Sequence, residues 1–142
     1  RAIPDIPNHI KVKGLFQVRG ELFAPSEYER PNYSQRQASG YLRAADSTSD
    51  HLSFCCFQIL NGKLNQHESL VYLEKLGFTI PENHFCNYTS GVEIFRKNWL
   101  DKKLFSNYPT DGIVVKINSR KLQLLRENSN GCYKYWQMAI KY

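Results

Sequence analysis

The pattern of apolar and polar positions predicts several short strands, of which residues 111–117 form the most distinct. This run opens with an Asp-Gly pair and continues through β-branched residues, which is typical of a buried strand. Because side chains alternate across a strand, Lys116 is expected to share a face with Gly112 and Val114. Further strands are predicted at residues 9–13, 15–23, 52–60, 78–80 and 135–142.

Capping patterns and helical periodicity predict two longer helices. Asn65 with Glu68, and Ser90 with Glu93, have the spacing of a capping box, and Gly77 provides the C-cap of the first helix. Apolar residues at helical spacing are interpreted as core contacts rather than as a functional surface. They are Leu70, Leu73 and Leu76 in the first helix and Val92, Phe95 and Trp99 in the second.

The segments between these elements predict shorter helices. A capping-box pattern at 26–29 predicts a short helix that Pro31 ends. Residues 32–46 are basic, and their small residues would let the backbone approach a ligand closely. The alternative is a surface loop with a short helix. Ser119 is expected to cap a helix that runs through Glu127. Strands of antiparallel appearance interspersed with helices favour an α+β fold over a doubly wound sheet.

Isolated charges on the apolar strands are the first candidates for function. Arg19 and Glu21 lie in one predicted strand, and Lys116 and Lys141 lie in two others. An ammonium group buried among apolar side chains is costly unless an anionic group pairs with it. If the three strands are neighbours, these charges converge on a patch suited to a phosphate with a hydroxylated or amine-bearing body. The alternative is that each charge lies on a solvated face.

Length and charge limit the possible classes of protein. At 142 residues the chain is one domain's length or part of a larger protein. It starts at Arg1 and ends at Tyr142 within a predicted strand, which suggests a fragment of a longer polypeptide. A net charge of +6 favours an anionic partner, of which nucleic acid is the commonest.

The sequence lacks the residue patterns that several kinds of chemistry require. The cysteines form no Cys-x-x-Cys motif and are interpreted as reduced thiols in a reducing compartment. The histidines lack metal-ligand spacing, so no metal-binding residues are assigned. The sequence contains no Gly-rich phosphate loop, no signal peptide and no apolar run of membrane-spanning length. Any phosphate binding therefore depends on side chains carried by strands.

Five segments, taken in order, resemble the NAD-dependent DNA ligases of bacteria. The strongest are V-R-G-E at 18–21 and D-G-I-V-V-K at 111–116, and the others are residues 35–43, 52–57 and 136–142. The resemblance covers residues 1–142 and implies the C-terminal portion of an adenylation domain. It implies a nucleotidyltransferase fold of antiparallel sheets with flanking helices. The nucleophilic lysine of the family's K-x-D-G motif and the OB-fold would lie outside this chain.

The resemblance implies roles for five residues in adenylyl transfer. Glu21 corresponds to a carboxylate that faces the nucleotide sugar, and Phe57 falls where an aromatic ring lies against adenine. Lys116 and Lys141 correspond to two lysines near the adenylyl group, where they would stabilise charge developing on the α-phosphate. Asp111 corresponds to an aspartate that positions a lysine or helps to hold a metal.

The resemblance also implies contacts with nucleic acid. Arg36 corresponds to an arginine that contacts nucleotide or DNA phosphates, and Arg43 to one that contacts nicked DNA, a use that suits a guanidinium. In this segment Gln35 replaces the family's proline and one alanine is missing, which changes the spacing of the arginines. Asp50 stands where a basic residue is usual, and Lys103 where an arginine is common. These departures indicate a divergent member.

The sequence therefore predicts part of a cytoplasmic, monomeric NAD-dependent DNA ligase of DNA replication and repair, inactive as a fragment. Such an enzyme transfers AMP from NAD to a lysine and then to a DNA 5′-phosphate, and seals the nick to the 3′-hydroxyl with the help of Mg²⁺. Its partner is nicked double-stranded DNA, with no role for a membrane. The alternative is a degenerate relative that keeps the fold as a nucleic-acid-binding module. An ATP-dependent ligase or a capping enzyme shares the fold but fits the motifs less well.

Overall fold

The computed structural model describes residues 3–25, 31–44, 51–108, 110–127 and 134–141, and within 31–44 the side chains of 36 and 38–44. These ranges contain four strands and four helices. In chain order they are β1 (Val18–Phe23), α1 (Pro31–Arg43), β2 (Ser53–Ile59), α2 (Gln66–Lys75), α3 (Thr89–Leu100), β3 (Gly112–Lys116), α4 (Arg120–Leu125) and β4 (Gln137–Lys141). None of these helices is long and apolar enough to span a bilayer.

The described strands form two small antiparallel sheets, one of β1 with β2 and one of β3 with β4. The chain divides into two compact units, each with one of these sheets. Unit 1 consists of Arg1–Gly62 and Ser69–Pro81, and unit 2 consists of Lys63–Glu68 and Glu82–Tyr142. The α+β class predicted from the sequence is confirmed.

Unit 1 is built around the contact between β2 and α2. Its main core consists of Cys56, Ile59, Leu70, Leu73 and Phe78. A second, smaller cluster of Ala24, Ala38 and Leu52 lies where α1 meets the strands. Since two of its three members are alanines, the helix can lie close to the sheet. The side chains described on the opposite side of α1 are exposed.

Gly20 in β1 is required by a close approach of β2. A Cβ atom at this position would lie 2.4 Å from the Phe54 ring and 2.5 Å from the carbonyl oxygen of Cys55. We expect Gly20→Ala to lower the free energy of unfolding by about 1–3 kcal/mol, because backbone and ring must both move. Gly40→Ala is the matched control. It adds the same methyl group inside α1, where nothing lies within 4 Å.

Urea unfolding of the two glycine variants measures the difference. Gly40→Ala should raise the free energy of unfolding by roughly 0.5–1 kcal/mol, because alanine is the better helix former. Equal stability of Gly20→Ala and the original chain would contradict the close approach described here.

Two asparagines in unit 2 cap each other's helices. The backbone N–H groups of Gln66 and His67, at the start of α2, donate to the backbone and side-chain oxygens of Asn118, both at 2.9 Å. In return, the N–H of Arg120 at the start of α4 donates to the side-chain oxygen of Asn65 at 3.0 Å. These bonds satisfy helix-terminal donors and fix the segment that follows β3.

The segment before β3 is fixed by α3. Trp99 is 5% exposed, and its indole N–H donates to the hydroxyl of Thr110 at 2.9 Å. Thr110 directly precedes Asp111, so this bond links α3 to the residues just before β3. Phe95, one turn earlier in α3, stacks on the ring of His84 with centroids 5.3 Å apart. The apolar stripe predicted for this helix is therefore confirmed as a packing surface.

Local sequence signals predicted most of the element boundaries. The N–H of Asn65 donates to Glu68 at 3.0 Å, and Gly77 has a φ of 92°, as expected for the two ends of α2. Ser119 accepts from the N–H of Leu122 at 3.4 Å, which confirms the predicted cap of α4. The strands predicted at 15–23, 52–60, 111–117 and 135–142 correspond to β1, β2, β3 and β4, each somewhat shorter than predicted.

The predicted strands at 9–13 and 78–80 are wrong, because neither segment forms a strand. Thr79 nevertheless accepts a hydrogen bond from the N–H of Cys56 at 2.8 Å, so this segment lies beside β2 without a regular ladder. The strand at 111–117 was predicted to be buried, and this is wrong for the face that carries Val114. Val114 on that face is 58% exposed, since a two-stranded sheet covers only one side.

Two helix predictions also need correction. Pro31 begins α1 rather than ending a helix, because proline is tolerated in the first turn, where its missing N–H costs nothing. The preceding helix predicted at 26–29 lies outside the described residues. The capping box of Ser90 with Glu93 does not form, because α3 begins one residue before Ser90 without a side-chain cap. Glu93 instead accepts from Arg96 at 3.1 Å.

Candidate functional site

The candidate residues of unit 1 lie on β1, at a β-bulge and on α1. Arg19 and Glu21 share the exposed face of β1. Between Arg19 and Gly20 the register with β2 shifts by one residue, and Phe57 is the residue passed over in the pairing. Bulges of this kind redirect a side chain and often occur beside functional sites. Phe57 is partly buried.

The thiol beside Glu21 is not a nucleophile. Cys55 lies directly opposite Glu21 in the sheet. Burial raises the pKa of the Cys55 thiol to about 11, and the charges of Cys56 and of Glu21 act in the same direction. The thiol is therefore protonated at neutral pH and unreactive. Cys55, Cys56 and Cys86 are free, as predicted, and Cys132 lies outside the described residues.

Arg36 and Arg43 lie on the exposed side of α1, about two helical turns apart and therefore on one stripe. Together with Ser39 and Gly40 they line a surface pocket. Ala38, which is 1% exposed, faces the opposite way into the small core cluster. No described residue forms an ion pair with either guanidinium. The altered spacing of this segment thus still presents both arginines to the same side.

In unit 2, Lys116 and Lys141 share one face of the sheet at its opposite ends. Lys141 pairs with Gly112, and Lys116 pairs with Gln137. Directly opposed residues of an antiparallel pair point to the same side, and the face prediction for Lys116 is thereby confirmed. The hypothesis that the three charged strands are neighbours is wrong for strand pairing, because β1 pairs with neither β3 nor β4. Among the described strands, β1 pairs only with β2, and β3 only with β4.

Asp111 holds Lys141 by an ion pair. Lys141 Nζ donates to Asp111 Oδ2 at 2.7 Å. This hydrogen bond is the main cause that lowers the pKa of the Asp111 carboxyl below its ordinary value. The carboxylate is therefore charged at neutral pH, and on the acid side the pair is lost as the pH falls through the lowered pKa. This contact is consistent with one of the two roles implied for Asp111, the positioning of a lysine.

The Lys116 ammonium group lies over the indole of Trp136, 5.8 Å from the ring centroid. The Trp136 side chain is fixed, because the residue is 1% exposed and its N–H donates to Glu127 at 3.1 Å. A second ammonium group, that of Lys134, lies 5.7 Å from the same centroid. An aromatic face can stabilise a cation without neutralising it.

Gln123 fixes the residue that follows Lys116. It is 2% exposed, and its amide N–H donates to the carbonyl oxygen of Ile117 at 2.7 Å. The N–H of Ile117 donates to the Trp136 carbonyl at 2.9 Å, and Arg120 donates to the side-chain oxygen of Gln123 at 3.2 Å. A buried, fully bonded amide is a rigid support. No sequence pattern indicated this role, because a polar residue in a short helix is expected to face solvent.

The described residues do not by themselves form a metal site. They include no group of three or more His, Cys, Asp or Glu side chains placed to share an ion. Asp111 is a single carboxylate, and one of its oxygens already accepts from Lys141. Mg²⁺ is commonly bound by only one or two carboxylates together with substrate phosphates, so these residues could supply at most part of its ligands.

Comparison with known proteins gives the family. All of residues 1–142 match the family described as the NAD-dependent DNA ligase adenylation domain. The chain therefore belongs to this family, and the resemblance of its motifs is confirmed.

Individual relatives agree with the family assignment. The chain is 32% identical to a DNA ligase of Gloeobacter violaceus over 100% of its own length and 24% of that protein. It is 31% identical to a DNA ligase of Mycoplasma capricolum over 100% of its length and 24% of that protein. For a DNA ligase of Halalkalibacterium halodurans the identity is 31%, over 87% of this chain and 22% of that protein. The chain thus spans about a quarter of the length of these relatives.

Proposed function

We propose that this chain is the later part of the adenylation domain of an NAD-dependent DNA ligase, with the nucleotidyltransferase fold. The full-length enzyme joins a 5′-phosphate to a 3′-hydroxyl at a nick in double-stranded DNA, through a lysine-bound AMP. The match of the whole chain to the adenylation-domain family carries this proposal. The nucleophilic lysine and the OB-fold belong to the remainder of that enzyme.

Lys116 and Lys141 are assigned to the phosphate of the nucleotide. Both are cations on the same face of the β3–β4 sheet, and both are anchored, one by Trp136 and one by Asp111. Preorganised cations stabilise the negative charge that develops on a phosphate during transfer. Bound NAD supplies the adenylyl group, and these side chains orient it and stabilise its charge.

Glu21 and Phe57 are assigned to the nucleoside. An exposed carboxylate on β1 can accept hydrogen bonds from ribose hydroxyls, and carboxylates are strong acceptors. The ring of Phe57, at the β-bulge, offers a face for adenine. The residue types in unit 1 therefore suit the sugar and the base.

The proposal also includes a metal ion and a cellular location. Mg²⁺ is proposed to accompany the phosphates, with Asp111 as the described carboxylate best suited to assist it, because Mg²⁺ retains substrate phosphates among its ligands. A cytoplasmic location is proposed because Cys55, Cys56 and Cys86 are free thiols, as expected in a reducing compartment.

A mass-shift assay tests the proposed function. The full-length ligase that carries this chain is incubated with NAD, and separately with ATP and magnesium. An AMP adduct with NAD alone is expected. An adduct with ATP would assign the enzyme to the ATP-dependent ligases, and a folded protein without any adduct would favour a nucleic-acid-binding module.

Arg43→Ala is expected to weaken binding of nicked DNA and to reduce the slope of log affinity against log salt by about one unit, because one phosphate contact is lost. Arg43→Lys is the matched variant. It keeps the charge and hence the slope, while losing the bidentate geometry of the guanidinium. Fluorescence anisotropy over a salt series measures the affinity and the slope for both variants. An unchanged slope for Arg43→Ala would remove this residue from the DNA contacts.

A further inference from the structure

A second lysine shares the aromatic support of Lys116. The Lys116 and Lys134 ammonium groups lie 5.8 and 5.7 Å from the centroid of the same Trp136 ring. The nitrogens therefore cannot be farther apart than the sum of these two distances, whichever faces of the ring they occupy. Both lysines are partly exposed, whereas Trp136 is 1% exposed. Two cations thus border one buried aromatic ring.

The position of Lys134 follows from the backbone. Glu127 and Lys134 form an isolated antiparallel bridge, and the N–H of Tyr135 donates to the carbonyl of Arg126 at 3.2 Å. The same pairing brings the carboxylate of Glu127 to the indole N–H of Trp136 at 3.1 Å. Lys134 is therefore held beside the ring by main-chain contacts and not only by its own flexible side chain.

The electrostatics of this arrangement favour an anion. A hydrogen bond from the indole to a carboxylate polarises the ring and strengthens its attraction for cations. Two ammonium groups beside one ring raise the local positive potential, which attracts an anion. An ammonium group has three donors and suits phosphate as a point charge. The sequence patterns gave no reason to single out Lys134.

We propose that Lys134 is a second phosphate-binding residue of the Lys116 site, and that Trp136 is the positioning residue that holds the two lysines together. This inference rests on the proposed function for the identity of the ligand. The phosphate belongs either to the bound nucleotide or to the DNA strand, and both sources present the same chemistry.

The test compares three variants of the full-length ligase. Lys134→Gln removes the charge, and Lys134→Arg keeps both the charge and the ability to lie over an indole. Lys121→Gln is the matched control, because Lys121 is an exposed lysine on α4 in the same unit and its loss changes the net charge equally. The measurements are the rate of AMP-adduct formation against NAD concentration without DNA, the salt dependence of nicked-DNA binding, and calorimetric binding of inorganic pyrophosphate.

A nucleotide phosphate as ligand predicts that Lys134→Gln raises the KM for NAD about tenfold with little change in kcat, as expected for one lost charge-assisted hydrogen bond. Lys134→Arg and Lys121→Gln should stay near the original values. A DNA phosphate as ligand predicts normal adduct formation and a salt slope reduced by about one unit relative to Lys121→Gln. Either result supports the proposal and identifies the source of the phosphate.

Failure of the inference and failure of the proposed function give different results. If the original enzyme forms the adduct and Lys134→Gln equals Lys121→Gln in all three measurements, the role of Lys134 is overturned and the ligase function stands. If the original enzyme forms no adduct with NAD, the ligase function fails. Pyrophosphate binding then decides the inference: weaker binding by Lys134→Gln than by Lys121→Gln supports it, and equal binding overturns it.

Discussion

We expect Lys116→Ala to slow the formation of the AMP adduct by on the order of 10²–10³-fold, the usual cost of removing one preorganised group that stabilises developing charge. Its ammonium group is fixed beside Trp136, and the strand after it is held through Ile117 by Gln123. Such a group needs no rearrangement when charge builds up on the phosphate. Its loss should therefore lower kcat and kcat/KM together.

The stability of the Lys116 variant separates catalysis from folding. Lys116 is only partly buried, so its removal should lower the free energy of unfolding by about 0.5–2 kcal/mol, the scale of a cation–π contact. Lys116→Arg should keep that contact but place its charge differently, and should recover only part of the rate. Lys121→Ala, on the exposed side of the same unit, should match the original enzyme. A folded Lys116→Ala enzyme with an unchanged rate would remove Lys116 from the reacting site.

The second large effect is expected at Glu21, in the other unit. Glu21→Ala should reduce kcat/KM for NAD by roughly 10²-fold, because hydrogen bonds to a charged acceptor are the strong ones and here two ribose hydroxyls could share it. Glu21 is exposed on β1, so the fold should tolerate the change. Glu21→Gln keeps one acceptor oxygen, so its kcat/KM for NAD should fall between those of the original enzyme and of Glu21→Ala.

Glu74→Ala is the control for Glu21→Ala, since Glu74 is an exposed carboxylate on α2 in the same unit. Steady-state adduct formation over a range of NAD concentrations distinguishes the two. If Glu21→Ala and Glu74→Ala gave the same kcat/KM as the original enzyme, the nucleoside assignment would be wrong. A change in DNA binding alone would place Glu21 away from the nucleotide.

Elements whose ends are determined by neighbouring residues could be predicted from the sequence. Glu68 and Gly77 mark the two ends of α2 through local features that the structure contains, whereas the Asn65 side chain caps α4 instead. Residues 9–13 alternate between apolar and polar side chains as a strand does, but none of the described strands pairs with them. Strand formation depends on a partner that is distant in sequence, so alternation alone was insufficient there.

The residue types of the candidate site could be predicted from the resemblance, but their surroundings could not. That Phe57 is passed over in the sheet depends on the register of β1 with β2, which no local pattern encodes. The aromatic support of Lys116 depends on the pairing of β3 with β4, which brings Trp136 to it across a long stretch of chain. For Arg36 and Arg43, the missing information was that α1 is one continuous helix.

The exchange of caps between Asn65 and Asn118 has a consequence for synthesis on the ribosome. The chain emerges from its N-terminus, so Gln66 and His67 leave the exit tunnel long before the acceptor residue Asn118. A nascent chain stalled before Asn118 would therefore carry an α2 whose first turn is frayed. Once Asn118 emerges, the long intervening segment adds little to the entropic cost of closure, since that cost grows only with the logarithm of loop length. Unit 2 thus completes its folding late in translation, whereas the β1–β2 pairing of unit 1 is available much earlier.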